Sequence, residues 1–300
     1  MNGVIIGRFM PPHRGHQYLV EFAHNYVDDL YVLVCTLSSE PIPGELRFHW
    51  MKELFPRDHI IHITEEIPEA SRGEPDAERI WAESVRKAVS APVDHVFASE
   101  SYGSPLAEAL GARFVPVDPA REVFPVSASL IRQDPYSYWR FIPEPVRPYF
   151  TRRVAVLTYS DALHPAARLL ADHFETVFVN DYARFVARDS AGSLDAAEQR
   201  RAQHAAEEAL ARHARGILFC ERGAASFEEL SRYEMILAEG AVERTASEER
   251  PEVEDTLNRL AVEGRSVIRF NELSEDSLKR LGEAVTRELL RPVGFSSRAG

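Results

Sequence analysis

The 300-residue chain has only two cysteines and no run of 18 apolar residues. Neither Cys35 nor Cys220 has another cysteine or a histidine at ligand spacing, so a redox pair or thiolate metal site is a poor reading. Each lies inside an apolar run, "LYVLVCTL" or "GILFCER", which suits a buried free thiol in a reducing compartment. The lack of a long apolar run argues against a transmembrane helix, and the N-terminus lacks the charged start and apolar centre of a signal peptide. A cytoplasmic protein is expected. Positive charge is also short: 35 Lys and Arg against 47 Asp and Glu leave a net charge of −12. That balance argues against a nucleic-acid surface and against an anionic membrane. A polyanion would have to be held by a local basic cluster. No short-period repeat is present, and no helix-turn-helix precedes the first strand-like run, so nothing points to DNA-binding repression. A homo-oligomer is left open.

What is present is ample apolar content, 45%, and a length comfortable for two domains. In the first half, β-branched runs ("NGVIIGRF", "LYVLVCTL", "HIIHIT", "HVFASE", "ARFVPV") alternate with helical spacing near 15–28, 45–55, 77–90 and 104–110. That alternation predicts a parallel sheet with helices on both faces. Around 134–153 the texture changes to "DPYSYWRFIPEPVRPYFTRR", whose prolines predict a packed connector rather than a regular element. A second series follows. Its strands are "VAVLTY", "TVFVND", "GILFCE", "YEMILAE" and "SVIRFNE", and its helices fall near 163–174, 195–214, 224–232, 252–263 and 275–290. The last ten residues read as a frayed end. The expected architecture is α/β, two doubly wound parallel-sheet domains spanning 1–150 and 151–300.

The basic cluster is "GRFMPPHRGH", residues 7–16, directly after the first strand. Ligands of open α/β sheets bind at the carboxyl ends of the strands, and a helix start offers unpaired N–H groups to an anion. Gly7 would let a ligand approach the backbone, and Gly15 would leave room for a phosphate beside it. His13 and His16, three apart, can share one side of the first turn. For an isolated H-x-G-H, a capped helix start with two exposed histidines is the competing reading. His59 and His62 are expected on one side of their strand, with no third metal ligand. Trp50 and Trp139 read as packing.

The spacing G-x-F-x-P-x-H-x-G-H resembles the signature of the nucleotidyltransferase superfamily and is matched at every fixed position. The superfamily's second signature, I-S-x-T-x-x-R, has its counterpart in "VSASLIR", residues 126–132, with Val126 for Ile and Ser129 for Thr. Ser127 can cap the following helix, and Arg132 supplies a planar fork for phosphate oxygens. With "PGELRFHWMKELF", "EASRGEPDAERIWAESVRKAV", "FASE", "VDPAR" and the connector ending "IPEPVRPYF", the chain is similar to the bifunctional nicotinamide-mononucleotide adenylyltransferases with a fused ribosylnicotinamide kinase domain.

The resemblance implies a Rossmann-like nucleotidyltransferase fold and the reaction of ATP with nicotinamide mononucleotide (NMN) to give NAD and pyrophosphate. It assigns His13, His16 and Arg132 to catalysis. Gly7, Arg8, Phe9, His13, His16, Ser127, Ser129 and Arg132 would hold ATP. Trp81 would stack on the nicotinamide ring, or else be a core aromatic. Arg47 and Arg121 match basic positions of the NMN site, and each could equally be a surface or ion-paired arginine. Mg²⁺ would arrive with ATP and be held by phosphates and water rather than by a protein carboxylate cage.

The second half resembles a P-loop kinase that has lost its loop. The family's strand and G-x-x-x-x-G-K-[ST] stand here as "VAVLTYSDALHPAARLLADHF", with Thr158 for the first glycine and Leu163, His164 and Pro165 for Gly-Lys-Ser. A leucine Cβ blocks the approach of a phosphate, proline removes an N–H, and no hydroxyl remains for Mg²⁺. Where the family has two aspartates, "LFCERG" keeps Glu221 and places Gly223 at the second. "DYAR", 181–184, resembles part of the nucleoside pocket, and "GAVERTASEERPE" a short polar loop in place of the lid. A degenerate kinase domain is expected. Two other functions remain open: transfer to a different phosphate acceptor, and a non-catalytic sensor of pyridine nucleotides.

Overall fold

The computed structural model describes residues 1–65, 77–160, 162–182, 184, 194–223, 229–240 and 250–290. The described residues divide into two compact units, Met1–Val146 and a second from Arg147 to Leu290. The division precedes the expected 150/151 boundary because the turn Arg147–Phe150 is tied into the second unit. Arg147 Nη1 donates to the Arg212 carbonyl at 3.2 Å, and Thr151 Oγ1 to that of Ala211 at 3.2 Å.

In the first unit, strands β1 (Asn2–Gly7), β2 (Asp29–Cys35), β3 (His59–Ile63), β4 (His95–Ala98) and β5 (Arg113–Pro116) alternate with helices α1 (Arg14–His24), α2 (Gly44–Leu54), α3 (Ala77–Ala88) and α4 (Gly103–Leu110). A short α5 (Ala128–Gln133) and two 3₁₀ turns, Trp139–Phe141 and Glu144–Val146, complete it. The sheet is parallel, in the order β3-β2-β1-β4-β5. Period-two alternation along β1 sends Ile5 into one core with Val32, Val34, Leu19 and Met51, and Val4 and Ile6 into the other with Leu33, Val85 and Leu106. Both faces are covered, which is why β1 and β2 read as continuous apolar runs. The strand order reverses beside β1, so a crevice opens at the carboxyl ends of β1 and β4.

The second unit contains α6 (Arg147–Phe150), β6 (Arg152–Leu157), α7 (Ala166–His173), β7 (Phe178–Val179), α8 (Ala196–Ala211), β8 (Ile217–Arg222), β9 (Met235–Glu239), α9 (Arg250–Val262), β10 (Ser266–Phe270) and α10 (Glu275–Leu289). Its sheet is also parallel, ordered β10-β9-β6-β8-β7. A capping box opens α8: Glu198 N donates to Asp195 Oδ1 at 2.8 Å, and Asp195 N to Glu198 Oε2 at 2.9 Å. The predicted α/β class and both parallel sheets are present.

Three expectations differ. The run "TVFVND" contributes only the two-residue β7: the Thr176 N–H turns back to the Ala171 carbonyl at 2.9 Å, and its hydroxyl, rather than its main chain, bonds the Ile217 carbonyl and the Arg215 N–H. The helix predicted over 224–232 is a 3₁₀ turn over 229–232, while 224–228 lie outside the described residues. His59 and His62 do not share a side, since three residues along a strand end on opposite faces. His59 stacks on Tyr31 at 4.7 Å between centroids, and His62 on Phe48 at 5.0 Å. Also outside the described residues lie 66–76 of the "EASRGEPDAERI" segment, Asp161, Ala183 of "DYAR", 241–249 of the polar loop and the tail 291–300.

Both cysteines are buried and unbridged, and burial pushes the Cys35 thiol up to about 12. Among the described residues no helix is long and apolar enough to cross a membrane. Phe97 is a fully buried anchor between β4 and α1. Phe97→Ala is expected to cost about 3–5 kcal/mol, measured as faster hydrogen exchange of the β1 amides.

Candidate active site

The crevice at the end of β1 is a cleft of about 650 Å³. Every residue assigned to nucleotide or substrate on sequence grounds lines it except Ser127 and Arg47. The loop after Gly7 turns on Phe9, whose φ of 48° is a strained choice for a non-glycine residue. Its ring folds back over Gly7, where a Cβ would stand 3.0 Å from Phe9 Cζ. The absent side chain of Gly7 therefore makes room for Phe9, and Gly7 also lines the cleft. Phe9 in turn meets the ring of His16 edge-on at 5.0 Å.

His13 is the N-cap of α1. It has extended backbone, and its Nδ1 accepts from Gly15 N at 3.1 Å and His16 N at 3.4 Å. An accepting Nδ1 carries no proton, so the neutral ring carries its hydrogen on Nε2. A Cβ on Gly15 would lie 3.0 Å from His13 Cε1, so Gly15, like Gly7, yields space to a side chain. His16 stacks on His13 with centroids 3.7 Å apart. The start of α1 is thus capped, as the competing reading expected, but neither imidazole is exposed. His13 is buried; His16 is half-buried, with its Nδ1 fully buried and unpartnered.

Burial dominates their titration. It lowers His16 to about 3, helped by the Arg121 charge, and lowers His13 well below the ordinary range, helped by His16 and then Arg121. Both rings are neutral near pH 7. The unfolded chain binds these protons at about pH 6.5 and the folded chain does not, so these histidines remove stability as pH falls from there toward 3.

The second motif reaches the same cleft. Ser127 caps α5 by accepting from Leu130 N at 3.2 Å. Arg132, one turn on, donates from Nη1 to the Met10 carbonyl and from Nη2 to Ser129 Oγ at 3.2 Å. Its guanidinium is docked on the loop that carries His13. The opposite rim holds Arg121, φ 54°, paired with Glu100 at 3.0 Å. The loop presenting it is organised by Asp118, φ 47°, whose carboxylate accepts from the N–H groups of Glu122, Val123 and Phe124 at 2.8, 3.2 and 3.3 Å. Trp81 lines the cleft and also packs against the core beneath α3.

Arg47 is elsewhere. It is 0% exposed behind the cleft, with Nε on the Ile42 carbonyl at 3.0 Å, Nη1 on those of Arg8 and Cys35, and Nη2 on Glu40. A guanidinium so spent reaches a ligand only through its neighbours. Sequence reading named no role for Glu40, Glu100, Tyr102 or Asp118. Glu100, Tyr102 and Asp118 follow the ends of β4 and β5, so the strand-end rule was the available signal for them. Tyr102 fastens the floor by donating to the Ile6 carbonyl at 2.6 Å.

Among the described residues no group of three histidines, cysteines or carboxylates could hold a metal ion. The cleft carboxylates are engaged, Asp118 by backbone and Glu100 by Arg121. This donor set does not fit a resident Mg²⁺.

The corresponding loop of the second unit is differently occupied. Tyr159 N and Ser160 N both donate to Glu239 Oε2, at 2.6 and 2.9 Å. Leu163 is buried. His164 Nδ1 and Arg184 Nη1 each lie 2.9 Å from Glu221 Oε1. A Cβ on Gly223 would stand 2.6 Å from Asp181 Oδ2, so the Asp181 carboxylate fills the space beside Gly223.

Comparison with known proteins fits this geometry. No protein-family model matches the chain. Over 201 residues, 61% of its length, it is 30% identical to the trifunctional NAD biosynthesis/regulator protein NadR of Escherichia coli (strain K12). The match spans 48% of that protein, so the chain spans about half the length of the curated relative. The structure superposes on that of NadR protein in complex with NAD and AMP-PNP with a TM-score of 0.73 at 20% identity, covering 99% of this chain and 98% of the other. NadR protein in complex with NR gives 0.72 at 19% identity, covering 98% of each. These likenesses establish the fold.

Gly15→Ala is expected to unseat the His13 cap, costing about 1 kcal/mol on denaturant unfolding and displacing both imidazoles. The His16 ring is expected to show no titration between pH 5 and 8 by NMR of its Cε1–H; a midpoint near 6.5 would contradict the buried, neutral assignment.

Proposed function

We propose that the first unit is a nicotinamide-nucleotide adenylyltransferase, joining ATP to NMN to give NAD and pyrophosphate, in a cytoplasmic NAD-forming or salvage role. The observation that carries this reading is the convergence of His13, His16 and Arg132 on one cleft at the carboxyl end of β1. The NMN phosphate attacks the α-phosphorus of ATP, and the bond to the β-phosphate oxygen breaks to release pyrophosphate. The nucleophile is already an anion, so no covalent intermediate and no general base are needed. The protein's task is alignment and stabilisation of charge on the leaving group.

The His13 Nε2–H is a fixed donor for a phosphate oxygen, and His16 is held beside it. Both act as neutral donors and avoid the cost of a buried charge before ATP arrives. Arg132 and Ser129 take the outer phosphates, Arg8 and the turn at Phe9 shape the strand-end cradle, and Arg121 serves the NMN phosphate. Trp81 offers a ring face to the nicotinamide. Mg²⁺ enters as part of the ATP complex. Arg47 acts from behind, by fixing Arg8.

The reading extends to the second unit as a kinase-like domain without kinase activity. Support comes from the N–H groups of Tyr159 and Ser160, which hold a protein carboxylate where a phosphate-binding loop would hold its ligand.

The test is pyrophosphate release by the full chain with NMN, nicotinate mononucleotide, phosphopantetheine, FMN and glycerol phosphate as acceptors. Turnover is expected with NMN, and His16→Ala is expected to lower kcat by about 10²–10³. Undiminished turnover in that variant would remove the assigned mechanism. Tight NAD binding without turnover of any acceptor would favour the sensor reading. With labelled ATP and nicotinamide riboside, the full chain is expected to transfer no phosphate; formation of NMN would overturn the inactive-kinase assignment.

A further inference from the structure

Glu40, on the loop between β2 and α2, has no part in the mechanism above. Its carboxylate is 5% exposed and stands between two arginines. Oε2 accepts from Arg47 Nη2 and from Leu37 N at 3.0 Å. Oε1 is buried without an aligned hydrogen bond and has Arg8 Nε as its countercharge at 3.3 Å. Arg47, wholly buried, also donates to the carbonyl of Arg8. One buried carboxylate–guanidinium pair therefore grips Arg8 at both ends, by its main chain and by its side chain. Arg8 is the member that emerges, 38% exposed, onto the wall of the cleft.

The charges explain why a carboxylate belongs beside a polyanion site. Arg8 and Arg47 alone would put two positive groups side by side with poor solvation, and like charges in such a setting separate. Glu40 cancels one of them and lets Arg8 stay. Burial lowers Arg132, the Glu40 carboxylate opposes that shift and Arg8 adds to it, so the three groups lie within electrostatic reach of one another.

We propose that Glu40 is a positioning residue for nucleotide binding: bridging buried Arg47 to Arg8, it holds the Arg8 guanidinium on the cleft wall where it and Arg132 meet the same phosphates. This rests on the reading of the cleft as an ATP site. The rival role for Glu40 is only to neutralise Arg47 within the fold.

A double-variant cycle on ATP affinity, measured by calorimetry on the full chain, separates the two. Glu40→Gln and Arg8→Ala are each expected to weaken ATP by about tenfold, and the double variant to be no more than about twofold weaker than Arg8→Ala alone. Additive losses, or unchanged affinity in Glu40→Gln, would overturn the proposal, since a structural counter-ion has no reason to act through an exposed arginine. If Glu40→Gln does not fold, Arg8→Lys decides. It keeps the charge but lacks the Nε that faces Glu40, so it is expected to lose most of what Arg8→Ala loses; wild-type affinity in it would count against the proposal. ATP binding needs no acceptor. Failure of NMN turnover with ATP still bound would sink the transferase reading and leave the cycle readable. Absence of ATP binding by the wild-type chain would overturn both.

Discussion

The hydrogen bond from Arg132 to the carbonyl of Met10 holds the candidate site together. Its partners lie more than a hundred residues apart in the chain. Without it, the loop bearing His13 and the helix bearing Arg132 would be two neighbouring surface features. With it, a guanidinium is anchored on the backbone of the imidazole loop, and both motifs face the same volume. The parallel sheet makes the meeting possible by ending β1 and β4 beside one another at the reversal of strand order.

With a net charge of −12, this chain would bind any polyanion against its own average field. The cleft meets that constraint with a few local groups. Neutral imidazoles supply directed donors, and the formal charges come from guanidiniums that are each restrained: Arg132 on Met10 and Ser129, Arg121 on Glu100, Arg8 on Glu40. Restraint matters because an arginine ordered before the ligand arrives does not lose its rotamer freedom on binding. Burial that keeps His16 neutral has the same logic, since a protonated ring there would need a counter-ion when the cleft is empty.

The strands and most helices were legible because doubly covered strands have an apolar run as their signature and amphipathic helices a period. Where the main chain turned back on the preceding helix, the pattern misled, as at Thr176 before the short β7. Of the site, the signature residues were legible by spacing and Ser127 by its place before a helix. The work of the glycines was not. Spacing marks Gly7 and Gly15 as small, but only packing shows that their space belongs to Phe9 and His13. Arg47 illustrates the converse: an arginine in a segment that matches the family looks like a ligand contact, and nothing local reveals that its guanidinium is spent on Ile42, Arg8, Cys35 and Glu40. Glu40 was invisible because its meaning depends on two arginines, one near and one on another loop.

The two units end their central strands in loops of the same topology, and the contrast between them is chemical. In the first, the helix-start N–H groups of Gly15 and His16 are satisfied by an imidazole nitrogen, an acceptor with no net charge. An anion can still approach, because the ring that caps the helix offers its other nitrogen as a donor. In the second, the N–H groups of Tyr159 and Ser160 are satisfied by the carboxylate of Glu239, which brings its own negative charge. A phosphate entering there would have to displace that carboxylate and leave it buried beside a second anion, a doubly unfavourable exchange. Hydrogen-bond count alone does not separate the loops, since each has two donors satisfied; the charge of the acceptor does. The first strand-end loop is capped by a neutral acceptor and the second by an anionic one, and that difference in charge is what the proposed contrast between them rests on.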